Sequence, residues 1–139
     1  MYRKLLIAND GSPGAHAALR AAIDLAVKLG AELHMISVEE IPRMPETIGE
    51  IEDEREEAKR HLDPVVAHAR QLAAAHGLSL EPHVLPGHPV ATIVEFVRTH
   101  DIDLLVVGFM GHSALYNRLI GSTTDRLVDH APCAVLVIK

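Results

Sequence analysis

The sequence predicts an α/β protein, an open parallel sheet of five strands with helices on both faces, three layers in all. Two observations predict it. Short, wholly apolar runs such as Leu5-Leu-Ile-Ala8 and Ala134-Val-Leu-Val-Ile138 are the kind that lie in strands covered on both sides. Between such runs stand longer segments with apolar residues at helical spacing, which is the alternation of βαβ units. At 139 residues with 48% hydrophobic content, the chain is expected to be a single domain spanning 1–139 with a substantial core. Only two Tyr and two Phe are present, so that core is built from Leu, Ile, Val and Ala.

The first strand, Leu5 to Ala8, is ended by Asn9-Asp10-Gly11-Ser12-Pro13. Ser12 suits a helix N-cap and Pro13 the first helical position. Leu19, Ala22, Ile23, Ala26 and Val27 recur along one face of the helix that follows, and Gly30 closes it. A second strand runs from about Glu32 to Val38, and residues 39–50, with Pro42 and Pro45, read as a loop. From Ile51 to His76 the pattern is helical, and Asp63-Pro64 predicts a kink or a break. The third strand, Ser79 to Leu85, contains Pro82, which favours an edge position. After the turn Pro86-Gly87-His88-Pro89, a helix from Val90 to about His100 leads to the fourth strand, Leu104 to Val107. A last helix, Ser122 to Ala131, and a strand from Ala134 to Ile138 complete the chain. Crossovers are expected to be right-handed.

Charge and cysteine usage exclude several functions. A formal net charge of −6 argues against binding of DNA or RNA, and four aromatic residues supply no stacking platform. The acidic run Glu50, Glu52, Asp53, Glu54, Glu56 and Glu57 reads as a solvated face. The single Cys133 forms no intrachain disulfide, which fits a reducing cytoplasm, and is expected to be a buried thiol. No segment has the length of a signal peptide core or a membrane span.

The chemistry-bearing feature is the loop after the fourth strand. Gly108 and Gly111 stand three apart, nine residues lead to Gly121, and the hydroxyls of Ser122 and Thr123 follow at once. Glycine lets backbone approach an anion, and the first amides of a helix are unpaired donors at the positive end of its dipole. The spacing is neither a Walker loop nor a dinucleotide fingerprint. Taken singly, Gly108 reads equally as a strand-end turn and Gly121-Ser122 as a helix cap with Asp125 completing a capping box.

Gly108-x2-Gly111-x9-Gly121-Ser122 resembles the nucleotide-binding signature of the universal stress protein family, in its ATP-binding subgroup. The opening Asn9-Asp10-Gly11-Ser12, the Gly87-x-Pro89 turn and the closing Ala131-Pro132-Cys133 run fit the same pattern in order. The resemblance implies an adenine nucleotide alpha hydrolase-like sheet of order 3-2-1-4-5, whose winding reverses between strands one and four. Ligands lie outside the carboxyl ends of strands at such a switch point, where the loops 9–12 and 108–122 emerge.

By position, the resemblance implies nucleotide contacts from Ala8, Asn9, Asp10, Ser37, Gly87, Gly108, Gly111, His112, Arg118, Gly121, Ser122 and Thr123. Asp10 would hold a magnesium ion accompanying ATP. Ser37 would meet the adenine edge through its backbone, and Gly87 would flank the base. Phe109 and Met110 depart from the small or polar residues usual in the family; Phe109 either covers the nucleotide or fills its space. Arg118 is the only cationic side chain in the loop, so modest affinity is expected. The resemblance also implies a homodimer paired through strand 134–138, an apolar segment at the sheet edge that invites pairing.

The expected function is a cytoplasmic, dimeric, ATP-binding regulatory switch in stress response. It is a binder rather than an enzyme, since no arginine finger or positioned base is recognisable. The alternatives are a structural dimerisation module that binds no nucleotide and a slow ATP-hydrolysing enzyme. Nucleophilic hydrolysis through His112-Ser113 is disfavoured because no Gly-x-Ser-x-Gly elbow is present. Among ten histidines none are spaced His-x3-His, and His34, His83 and His88 come from different elements, so surface histidines rather than a metal centre are expected.

Overall fold

The computed structural model describes residues 1–40, 48–109 and 122–139. In chain order its elements are β1 (Lys4–Ala8), α1 (Pro13–Leu29), β2 (Glu32–Glu40), α2 (Ile48–Ala75), β3 (Leu80–Gly87), α3 (Pro89–Thr99), β4 (Leu104–Gly108), α4 (Ser122–His130) and β5 (Ala134–Ile138). All strand pairs are parallel, in the order β3-β2-β1-β4-β5. Central β1 is covered on both faces, and Leu5, Leu6 and Ile7 are fully buried. Each such side chain contributes about 1.5–3 kcal/mol.

Side-chain alternation along the strands divides the core into two layers. Leu5, Ile7, Met35 and Val106 pack with Leu19, Ala22 and Ile23 of α1 and Ala69 and Ala73 of α2. Leu6, Ile36, Leu105 and Val107 pack on the other side with Ile93, Phe96 and Val97 of α3 and Leu127 of α4. The two faces of one sheet therefore bury two separate helix pairs, as apolar strands free of alternation require.

Several boundaries differ from the sequence expectation, among them the end of β3, which runs on through Pro86 and Gly87 of the expected turn. Strand β2 continues through Glu39 and Glu40, which pair with Pro86 and Gly87 of β3, so backbone pairing overrides two charged side chains. Helix α2 begins at Ile48, inside the segment read as loop. It also continues through Pro64 without a break; Pro64 and Arg60 are both exposed, a setting in which solvent can reach the carbonyl that proline leaves unpaired. As Pro82 indicated, β3 is an edge strand. Glu52, Asp53, Glu56 and Glu57 are exposed, as a solvated acidic face demands. Cys133 is half-buried rather than buried, and that partial burial, aided by the Asp103 carboxylate, pushes its thiol pKa up against an opposing backbone contact at Leu105. Among the described residues, no helix is long and apolar enough to cross a membrane.

At the amino end of the sheet, the Asp103 carboxylate accepts hydrogen bonds from the backbone N–H of Arg3 at 2.8 Å and of Lys4 at 3.0 Å. These bonds tie the start of β1 to the start of β4. Asp103→Ala is expected to cost about 1–2 kcal/mol, the loss of two charge-assisted bonds at a part-exposed position. A urea titration should show a lowered midpoint at unchanged slope.

Candidate functional site

The direction of winding reverses at β1 and β4, which pair through Leu5–Leu104, Leu6–Leu105 and Ile7–Val106. Their carboxyl ends open a crevice, and the first loop over it is a chain of local hydrogen bonds. The N–H of buried Asn9 donates to the carbonyl of Ile36 at 2.9 Å, prolonging β1. Its side-chain Oδ1 accepts from Gly11 N–H at 3.0 Å, and Asp10 Oδ1 accepts from Ser12 N–H at 2.9 Å. These are consecutive Asx turns, the local geometry that Asn and Asp adopt most readily. Ser12 Oγ then accepts from Ala15 N–H at 3.2 Å, capping α1.

Neighbouring elements hold this loop in place. The hydroxyl of Ser37, buried to 1% exposure, donates to the Asn9 carbonyl at 2.7 Å, and Asn9 Nδ2 faces Met35 Sδ at 3.4 Å. Gly11 has φ +83°, and a Cβ there would lie 3.0 Å from Val65 Cγ2 of α2. His61 of the same helix places Nε2 3.4 Å from the Asp10 carbonyl. Asp10 is exposed at the mouth of the crevice.

On the other side, Gly108 ends β4. A Cβ at Gly108 would stand 2.7 Å from the backbone C and O of Gly14 and 3.1 Å from the N of Ala15. Its hydrogen therefore accommodates the first turn of α1, a packing requirement that sequence spacing alone did not separate from an anion-approach role. Thr124, in the first turn of α4, donates from Oγ1 to the Gly108 carbonyl at 2.7 Å. Ser122 and Thr123 are exposed at the start of that helix. The N–H of Phe109 donates to the Ile138 carbonyl at 2.7 Å, and Lys139 Nζ lies 5.6 Å from the centre of the Phe109 ring. The half-buried ring is thus directed to the β5 side of the crevice.

Of the residues expected to form the site, Ala8, Asn9, Asp10, Gly108, Ser122 and Thr123 come from the ends of β1 and β4 and the start of α4. Ser37 and Gly87 come from the extended ends of β2 and β3, with Gly87 two strand positions from β1, roughly 10 Å. Gly87 has φ +146°, and a Cβ there would collide with Thr92 Oγ1, so glycine is required for the turn into α3. Gly111, His112, Arg118 and Gly121 lie outside the described residues. Thr124, His61 and Val65 were missed. Thr124 was findable as the third hydroxyl after Gly121, whereas the approach of α2 carries no local signal.

One expectation is corrected. His34 is not a surface residue but is 6% exposed, and it meets His83 and Glu81. The reason is register: β2 and β3 set His34 opposite Glu81 and Ile36 opposite His83, a long-range pairing that no i, i+4 spacing reveals. Burial foremost, then the neighbouring His34 and His100, lowers the His83 pKa, against an opposing effect of Glu81.

An open parallel sheet wound both ways from β1 and β4, with loop-to-helix turns over the reversal, defines a doubly wound α/β protein with a ligand-binding switch point. The chain belongs to the universal stress protein family, which matches it over residues 1–139. A universal stress protein of Methanocaldococcus jannaschii is 32% identical over 147 residues, covering 100% of this chain and 83% of the relative. The solved universal stress protein UspA from Lactobacillus plantarum is 29% identical, with a TM-score of 0.90 over 99% of this chain and 98% of that one. Three solved structures of lower identity share the fold and hold nucleotides. A universal stress protein in complex with cAMP is 24% identical with a TM-score of 0.75, covering 99% of this chain and 97% of its own. An Arabidopsis thaliana family protein with AMP bound is 20% identical with a TM-score of 0.64, covering 99% and 91%. The Archaeoglobus fulgidus protein in complex with dAMP is 23% identical with a TM-score of 0.66, covering 99% and 98%.

Proposed function

We propose that the chain is a single-domain, cytoplasmic universal stress protein that binds an adenine nucleotide, ATP with magnesium, at the β1–β4 switch point and acts as a homodimeric regulatory switch. The observation that carries this is the convergence of Asp10, Gly108, Ser122 and Thr123 on one crevice at the carboxyl edge of the sheet. The cAMP, AMP and dAMP held by three proteins of this fold support adenine as the base. An exposed carboxylate at the crevice mouth fits a hard cation that keeps phosphate oxygens among its ligands. Backbone amides of 108–123 would donate to the phosphates, and Arg118 would add the loop's one cationic side chain. The function is binding, with the nucleotide setting which surface is presented to a protein partner.

Calorimetric titration with ATP and magnesium should give one site of modest affinity per chain. Asp10→Asn retains an oxygen acceptor for Ser12 N–H while removing the charge, so the fold stands and affinity for the magnesium complex drops by roughly tenfold, equivalent to about 1.4 kcal/mol. Absence of heat at millimolar nucleotide would refute the proposal.

A further inference from the structure

On the face of the sheet that carries α3, between β2 and edge strand β3, three ligating side chains meet. His34 Nδ1 lies 3.2 Å from His83 Nε2 and 3.3 Å from a Glu81 carboxylate oxygen. All three ligand atoms fall within 4.8 Å of one another. Four-coordinate zinc with bonds of about 2.0–2.1 Å places neighbouring donors roughly 3.3–3.4 Å apart, so both measured separations match edges of a tetrahedron. A hydrogen-bond account is poorer. A single proton on His34 Nδ1 could serve an imidazole nitrogen and a carboxylate only as a shared three-centre bond, and both distances are long for such bonds.

The surroundings supply the remaining features of a metal centre. His34 Nε2 lies 3.3 Å from Glu32 Oε2, the outer carboxylate that commonly fixes a ligating imidazole and leaves its other nitrogen for the ion. The His83 ring packs on Phe96 at 4.7 Å between centres, which restrains its orientation. His100, 6.0 Å from His83, is engaged elsewhere, with Nδ1 at 3.1 Å from the Phe96 carbonyl. His34 is buried, while the Glu81 side chain is 67% exposed, giving an ion a route in and leaving room for water as fourth ligand.

We propose that His34, His83 and Glu81 form a site for zinc or a similar first-row transition dication, oriented by Glu32 and stapling edge strand β3 to β2. Two imidazoles and one carboxylate select such ions over magnesium and calcium, which prefer oxygen alone. The site is independent of nucleotide, since it lies on the α3 face between β2 and edge strand β3, level with Leu6 to Ala8, rather than on the loops that follow β1 and β4.

The test is titration of the full-length, tag-free chain with Zn2+ against a chromophoric chelator, in excess Mg2+. The expected result is one equivalent per chain at micromolar affinity or tighter, visible absorption of four-coordinate geometry with Co2+, and a raised thermal midpoint in zinc. Glu81→Ala and His83→Gln alter positions that are not fully buried, and each should weaken binding by roughly tenfold or more. The double variant should lose the equivalent and the thermal shift. Asp10→Asn and His61→Gln should retain both, which separates this site from the crevice and from scattered histidines. Failure of the native chain to take up an equivalent, or full uptake by a folded double variant, overturns the assignment.

Discussion

Gly108→Val is expected to lower stability by about 3 kcal/mol, toward the upper end of overpacking penalties. The obstructing atoms are backbone: the carbonyl of Gly14 and the amide of Ala15, each within 3.1 Å of where the Cβ would stand. Neither side can yield cheaply. The first turn of α1 is fixed by the Ser12 cap and the Asn9 and Asp10 turns. The end of β4 is paired with β5 through Gly108 and Ile138 and tied to α4 by Thr124. Gly108→Ala already introduces the offending atom, so it should show much of the loss, with Val adding bulk. Chemical unfolding of both variants measures this. An unchanged midpoint would mean that α1 slides freely on the sheet, contrary to the bonding described.

Leu136→Lys is expected to convert the proposed dimer to monomer at micromolar concentration, weakening self-association by about 100-fold or more through desolvation of a charge at the new interface. Strand β5 pairs with β4 on one side only, and Leu136 and Val128 remain 37% and 46% exposed in the isolated chain. A second copy laid along that edge would cover them and occupy the strand's outward backbone groups. Because Leu136 is already part-exposed, its replacement should change the monomer's own stability by less than about 1 kcal/mol. Light scattering and sedimentation separate the two effects. A native chain found monomeric at micromolar concentration would refute dimerisation through β5.

Features governed by local chemistry were legible in the sequence. The limits of β5, the Ser12 cap, the Gly30 stop and the edge position of β3 follow from apolar runs, capping residues and Pro82. The sheet order was legible only through resemblance, because no short-range property of Leu5 to Ala8 says that residue 104 lies beside it. Features set by register or by close approach between distant elements were hidden. His34 looked like a surface histidine until β3 was placed opposite it, and the constraint at Gly108 comes from a helix nearly a hundred residues earlier. Pro64 misled because its cost depends on whether water reaches one carbonyl, which is a property of the surface. In the candidate site, the turns at Asn9 and Asp10 were readable from composition, whereas the cover provided by His61 and Val65 was not.

The pairing of β1 with β4 also shapes how the chain is born. Leu5 must meet Leu104, and at about 5–20 residues per second a ribosome needs roughly 5–20 s to span that interval. Throughout it, a strand whose Leu5, Leu6 and Ile7 end fully buried has been synthesised while half of its shelter has not. β1 is made well before β4 yet is enclosed only once β4 arrives, so the nascent chain relies on α1 and β2 as temporary cover, and aggregation is most expected before β4 emerges.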